Sequence, residues 1–166
     1  MQTTLAPEFR NTPAGDIAES ILRSCVHCGF CLATCPTYQI LGNELDSPRG
    51  RIYLMKQVFE GAAPTVKTQQ HLDRCLTCRN CETTCPSGVQ YGRLLDLGRA
   101  VVEESVGRGG ADTLARSALK HGLSSPTLFN TALKRGQAAR ELLPGSLQDT
   151  APAADPAGVW PAPRHA

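Results

Sequence analysis

The chain has 166 residues, 17 basic against 15 acidic for a net charge of +2, with only 5% aromatics but 15 glycines and 12 prolines. So mild a charge, with no block of one sign, argues against a nucleic-acid partner, and so thin a stock of large side chains points to a small domain stapled by metal or disulfides. No apolar run approaches the roughly 18 residues of a membrane helix, and Met1 to Asn11 lacks the basic and apolar regions of a signal peptide, so the expected location is the cytoplasm.

In chain order, Thr12-Pro13 reads as a capped helix start, followed by Ile17, Ile21 and Leu22 at helical spacing. The first four cysteines come next. Ser47-Pro48 repeats the start signal, and Ile52, Met55, Val58 and Phe59 follow until Gly61 stops the run. Thr65 to Arg74 is a shorter helix leading into the last four cysteines. Tyr91, Leu94, Leu95, Val101 and Val102 mark a longer helix ended by Gly107. Asp112 to His121 and Thr127 to Leu143 are further helices. No segment alternates with a period of two, so few or no strands are expected. From Pro144 on, prolines sit among alanine and polar residues, which reads as a linker or disordered end. The expected division is a cluster-binding domain over 1–107, a helical extension over 108–143 and a Pro/Ala-rich tail over 144–166.

All eight cysteines fall in two copies of one motif. The first reads Cys25-x-x-Cys28-x-x-Cys31-x-x-x-Cys35-Pro36, and the second Cys75-x-x-Cys78-x-x-Cys81-x-x-x-Cys85-Pro86, each cysteine recurring 50 positions later. Three cysteines at this spacing let one loop wrap an iron–sulfur cubane. In two-cluster ferredoxins the cysteine before the proline serves the other cluster. By that rule Cys25, Cys28, Cys31 and Cys85 hold one [4Fe–4S] cluster, and Cys75, Cys78, Cys81 and Cys35 hold the second. Zinc sites use Cys-x-x-Cys as two separated pairs, and a disulfide framework needs an oxidising compartment, so both fit less well.

A cubane on four thiolates is anionic, and nearby cations stabilise it. Arg23, Arg74 and Arg79 are candidates by sequence proximity, with ordinary surface arginine as the plainer reading. Leu32, Ile40, Leu76 and Val89 are candidate shields against water. His27, inside the first loop, is expected to face solvent, with tuning or ligation as the alternative. No dinucleotide fingerprint follows a strand, so two-electron chemistry is expected on a partner, most often a flavin.

The stretches Cys25-Val-His-Cys-Gly-Phe-Cys, Cys35-Pro-Thr-Tyr, Leu45-Asp-Ser-Pro-Arg-Gly-Arg-Ile-Tyr and Leu72-Asp-Arg-Cys-Leu-Thr-Cys-Arg-Asn-Cys-Glu-Thr-Thr-Cys-Pro-Ser-Gly-Val together resemble the iron–sulfur subunit of glycolate oxidase. The resemblance is dense from about Ser20 to Glu104. The Cys-Pro runs and Pro48-Arg-Gly-Arg-Ile also recur in subunits of anaerobic glycerol-3-phosphate dehydrogenase, lactate-utilisation proteins and heterodisulfide reductase. The resemblance implies an all-α fold, an alpha-helical ferredoxin with two [4Fe–4S] clusters on the eight cysteines. It implies partners too: FAD-binding glycolate oxidase subunits, with electrons passing to a membrane quinone or another acceptor and peripheral contact at the inner face of the membrane. Related lactate or glycerol-3-phosphate dehydrogenases and a heterodisulfide-reductase-type small ferredoxin subunit remain alternatives. Members of this family are usually longer, with a further cysteine-rich domain, so the chain looks like an N-terminal portion.

Overall fold

Thr12 caps the first helix as its sequence requires, its hydroxyl accepting from Gly15 N at 3.0 Å ahead of Pro13 in the first turn. The computed structural model describes residues 1–140 together with Pro144 and Gln148. It divides into one unit over Met1–Arg108 and a second beginning at Gly109.

In the first unit, α1 (Pro13–Ser24) delivers the chain to Cys25, and α2 (Pro36–Leu41) starts at the proline of the first motif. A 3-10 turn at Glu44–Asp46 precedes α3 (Pro48–Phe59), whose cap Ser47 accepts from Gly50 N at 2.9 Å. Then come α4 (Val66–Asp73), with a reciprocal Thr65–Thr68 cap, the single turn α5 (Asn80–Thr83) and α6 (Tyr91–Val106). Among the described residues there is no strand.

α6 is the hub, because α1, α3 and α4 all pack on it. The periodic apolar residues supply the contact: Leu22 of α1, Met55 and Phe59 of α3, Leu72 of α4, and Leu94, Leu95 and Val102 of α6 are at most 1% exposed. Each such side chain contributes about 1.5–3 kcal/mol by leaving water. At Gly98 of α6 the Met55 thioether comes so close that a Cβ there would lie 2.6 Å from its sulfur.

The segment before α1 shows no periodicity, yet it folds back on the core. The Met1 ammonium donates to the carbonyls of Arg23 and Cys25 at 2.9 and 2.7 Å. Ala6 N donates to Phe59 O at 2.9 Å, Leu5 is buried, and the Phe9 ring meets Phe59 edge-on at 5.0 Å.

The second unit contains α7 (Gly110–Ser124) and α8 (Pro126–Ala138), which pack on each other with no residue of either helix buried. The helix expected over Thr127 to Leu143 ends at Ala138. Leu143 and the tail expected to be disordered lie outside the described residues, apart from Pro144 and Gln148.

Candidate iron-sulfur site

Both cysteine motifs begin where a helix stops. Cys25 N donates to Leu22 O after α1, and Cys75 N donates to Leu72 O after α4, each at 3.2 Å. The backbone then turns left-handed at His27 and Gly29 (φ 56° and 88°) and, 50 residues on, at Thr77 and Arg79 (φ 54° and 59°). Three of these four residues are not glycine, so the loops hold an uncommon conformation on both sides. Alternation of left- and right-handed residues turns successive N–H groups toward one concavity, a nest that suits an anion. One short helical turn follows in each copy, Phe30–Leu32 and α5, before Cys35 N and Cys85 N donate back to Leu32 O and Glu82 O at 3.2 Å. The repeat in the sequence is therefore a repeat in the backbone.

The two loops wall neighbouring cavities. Cys25, Cys28, Cys31 and Cys85 line the first, and Cys35, Cys75, Cys78 and Cys81 line the second, with Cys81 also reaching the first. Pro48, in the first turn of α3, and Tyr91, at the start of α6, line both. The positive end of the α3 dipole thus lies at the wall the cavities share, where negative charge is favoured. All eight cysteines are free thiols. Cys25, Cys35 and Cys81 are buried, whereas Cys28 and Cys78, the second cysteine of each loop, are exposed. Among the described residues, no group of three or more His, Cys, Asp or Glu converges on a single-ion site.

Burial pushes the Cys31 thiol up to about 11, with the sulfurs of Cys25 and Cys28 adding to it against backbone N–H groups that lower it. Burial likewise pushes Cys81 up to about 12, aided by Cys75. Such thiols give up their protons readily only to a cationic centre. The walls therefore fit iron–sulfur cubanes: sulfur donors, four to a cavity, N–H nests and a helix N-terminus for the negative charge.

The second cavity is backed by a buried polar network. Arg51 lines it, donating from Nη1 to Thr37 Oγ1 at 3.1 Å, from Nε to His71 O at 2.6 Å and from Nη2 to Asp46 Oδ1 at 3.4 Å. Asp46 also meets His71 Nδ1 and Arg74 Nη1, each at 3.0 Å. Burial alone would raise the Asp46 carboxyl, but the hydrogen bonds from His71 and Arg74 and their charges outweigh it and hold it below the usual carboxylate range. Thr37 Oγ1 lies 3.2 Å from Cys35 Sγ, and the Tyr91 hydroxyl donates to Cys75 Sγ at 3.6 Å. Burial, then the neighbouring Cys75, raises the Tyr91 phenol well above its usual value.

Of the candidate arginines only Arg79 lines a cavity. Arg23 pairs with Glu19 at 2.7 Å, and Arg74 reaches the network through Asp46. Val89 is buried in the first wall, but Ile40 is 81% exposed and Leu76 65% exposed, so neither is the shield expected of it. Leu32 is half-buried. His27 does not face solvent freely: its Nε2 is buried without a hydrogen-bond partner, and its ring meets Tyr53 edge-on at 6.3 Å. Burial first, and the Arg49 charge second, lowers its pKa and keeps the ring neutral at pH 7. The residues that sequence reasoning missed are Arg49, which lines the first cavity, and Arg51, Thr37 and Tyr91 at the second. The Pro48-Arg-Gly-Arg stretch was the available signal for the two arginines.

Residues 21–89 match the family of 4Fe-4S dicluster domains. The chain carries a 4Fe-4S dicluster domain. Around that domain the resemblance to the glycolate oxidase protein holds. The chain is 56% identical over 153 residues to the glycolate oxidase iron-sulfur subunit of Escherichia coli K12, covering 92% of this chain and 38% of that protein. It is 48% identical over 89 residues to the probable glycolate oxidase iron-sulfur subunit of Bacillus subtilis, covering 52% of this chain and 20% of that one. The dicluster domain is also similar to a component of the ferredoxin:CoB-CoM heterodisulfide reductase of Methanosarcina mazei, at 29% identity over 75% of this chain and 74% of that protein. The chain thus spans well under half the length of the two glycolate oxidase relatives. Among the described residues, no helix is long and apolar enough to cross a membrane.

Proposed function

We propose that this chain is the electron-transfer part of a flavin-dependent glycolate oxidase. Cys25, Cys28, Cys31 and Cys85 hold one [4Fe–4S] cluster, and Cys75, Cys78, Cys81 and Cys35 hold the other. When bound, the clusters supply one-electron carriers between FAD on partner subunits, where glycolate becomes glyoxylate, and a quinone or other acceptor at the cytoplasmic face of the membrane.

The observation that carries this reading is the company each Cys-Pro cysteine keeps. Cys85 shares a cavity with the three cysteines of the first loop, and Cys35 with the three of the second. Each cavity also has one exposed sulfur, Cys28 or Cys78, which suits exchange with a partner on either side. The likeness to glycolate oxidase subunits supports glycolate as the electron source.

The test is anaerobic co-purification with native partners, followed by substrate addition while the broad visible absorbance is recorded. Glycolate should bleach it, and lactate and glycerol 3-phosphate should not. Bleaching by one of those instead would move the chain to the related dehydrogenase. A second reading, a heterodisulfide-reductase-type ferredoxin subunit, draws on the fuller coverage of the Methanosarcina relative. It predicts bleaching by dithionite and none by any hydroxy acid.

A further inference from the structure

We propose that Tyr91 and Thr37 are positioning residues that raise the reduction potential of one cluster, the one assigned to Cys35, Cys75, Cys78 and Cys81, by donating hydroxyl hydrogen bonds to its sulfurs. The inference rests on the ligand assignment proposed above.

The Tyr91 side chain borders both cavities, but its proton is committed to one of them. The residue is 3% exposed, and its hydroxyl donates to Cys75 Sγ at 3.6 Å. Thr37 has one proton and two acceptors in reach, Cys35 Sγ at 3.2 Å and Asp46 O at 3.0 Å. When Cys35 is a thiolate, the charged sulfur is the stronger acceptor of the two. Arg51, its side chain 1% exposed, donates to the oxygen of the same hydroxyl at 3.1 Å and polarises it toward giving its proton away.

A donor to a ligand sulfur gains strength as the sulfur becomes more negative. Reduction makes it so, and the donor therefore favours the reduced form. Away from water the effect is screened less.

The internal repeat shows why only one cluster is affected. Fifty positions before Tyr91 stands Leu41, which is 48% exposed, and fifty after Thr37 stands Ser87. Among the described residues, no side chain donates a hydrogen bond to the sulfur of Cys25, Cys28, Cys31 or Cys85. The two hydroxyls are additions to a scaffold that is otherwise duplicated.

The experiment is an EPR-monitored redox titration of the full chain, reconstituted anaerobically with iron and sulfide, as wild type, Tyr91→Phe and Thr37→Val. Cys28→Ser marks which signal belongs to the first cluster. Each hydroxyl deletion should weaken reduction of the second cluster by about tenfold, about 59 mV for a one-electron couple, and leave the first unmoved. Unchanged potentials, or equal shifts in both clusters, would overturn the proposal. Iron and sulfide are counted in the wild type first. Fewer than two cubanes there sinks the ligand assignment and this inference with it, whereas two cubanes with unmoved potentials sinks this inference alone. Should Tyr91→Phe fail to hold iron, Thr37→Val decides by the same criterion.

Discussion

Asp46 and Arg51 form an ion pair with neither side chain more than 1% exposed, Nη2 to Oδ1 at 3.4 Å. The same carboxylate binds His71 and Arg74, so one aspartate ties the turn before α3 to the end of α4. Removing one partner of a buried pair strands the other charge, which costs about 3–5 kcal/mol. Asp46→Ala should lose that much, read as a fall in the denaturant midpoint of the reconstituted chain. A loss below about 1 kcal/mol, the range of exposed pairs, would show that water reaches Arg51.

The same carboxylate sets a pH dependence. Its folded pKa lies below the unfolded value of about 3.9, so its stabilisation is fully present above that value and drains away as pH falls through the folded pKa. The stability gap between wild type and Asp46→Asn should hold constant near neutral pH and narrow in that acid window. A gap that widens with acid would reverse the sign of the argument.

The helices were legible because their signals are local. Thr12-Pro13 and Ser47-Pro48 start helices where a hydroxyl caps and proline has no N–H to lose, and the periodic Ile21, Met55 and Leu94 face the core. The cysteine cavities were legible because a ligand motif fixes residue type and spacing together. What sequence could not convey was burial decided by distant segments. Arg51 has the appearance of a solvated arginine until Thr37, Asp46 and His71 converge on it from positions up to 20 residues away. Met1 to Phe9 has no period because it is buried by contacts with α1 and Phe59 instead of by a face of its own. Ile40 and Leu76 looked like shields only by hydrophobicity, and the short turns beside them point them outward.

Two glycines separate backbone crowding from side-chain crowding. A Cβ at Gly50 would lie 2.0 Å from Glu44 O and 2.9 Å from Leu45 Cα, main-chain atoms that move only with the turn ahead of α3. At Gly98 the obstacle is the Met55 thioether, which can change rotamer. Overpacking costs about 1–3 kcal/mol, while alanine returns about 1 kcal/mol of helix propensity over glycine. Gly50→Ala should therefore lower the melting temperature clearly, and Gly98→Ala should come out near neutral. The reverse order in thermal melts would mean that the turn at Glu44 yields more easily than the Met55 side chain.

Crossed ligation makes a prediction that motif order alone would get backwards. Cys35 belongs to the first motif by sequence, but its sulfur lies with Cys75, Cys78 and Cys81, and its nearest hydroxyl is Thr37 of the second cavity's network. Cys85 lies with Cys25, Cys28 and Cys31. Cys35→Ser should therefore perturb the cluster of the second loop, and Cys85→Ser that of the first. Each should also loosen the fold, since every cluster bridges segments about 50 residues apart and a metal-centred cross-link contributes folding energy directly. EPR of the two reduced variants separates the cases. If Cys35→Ser instead removes the signal that Cys28→Ser alters, each loop holds its own four-cysteine cluster. Cys85 would then lie beside the first loop as a packing neighbour rather than a ligand.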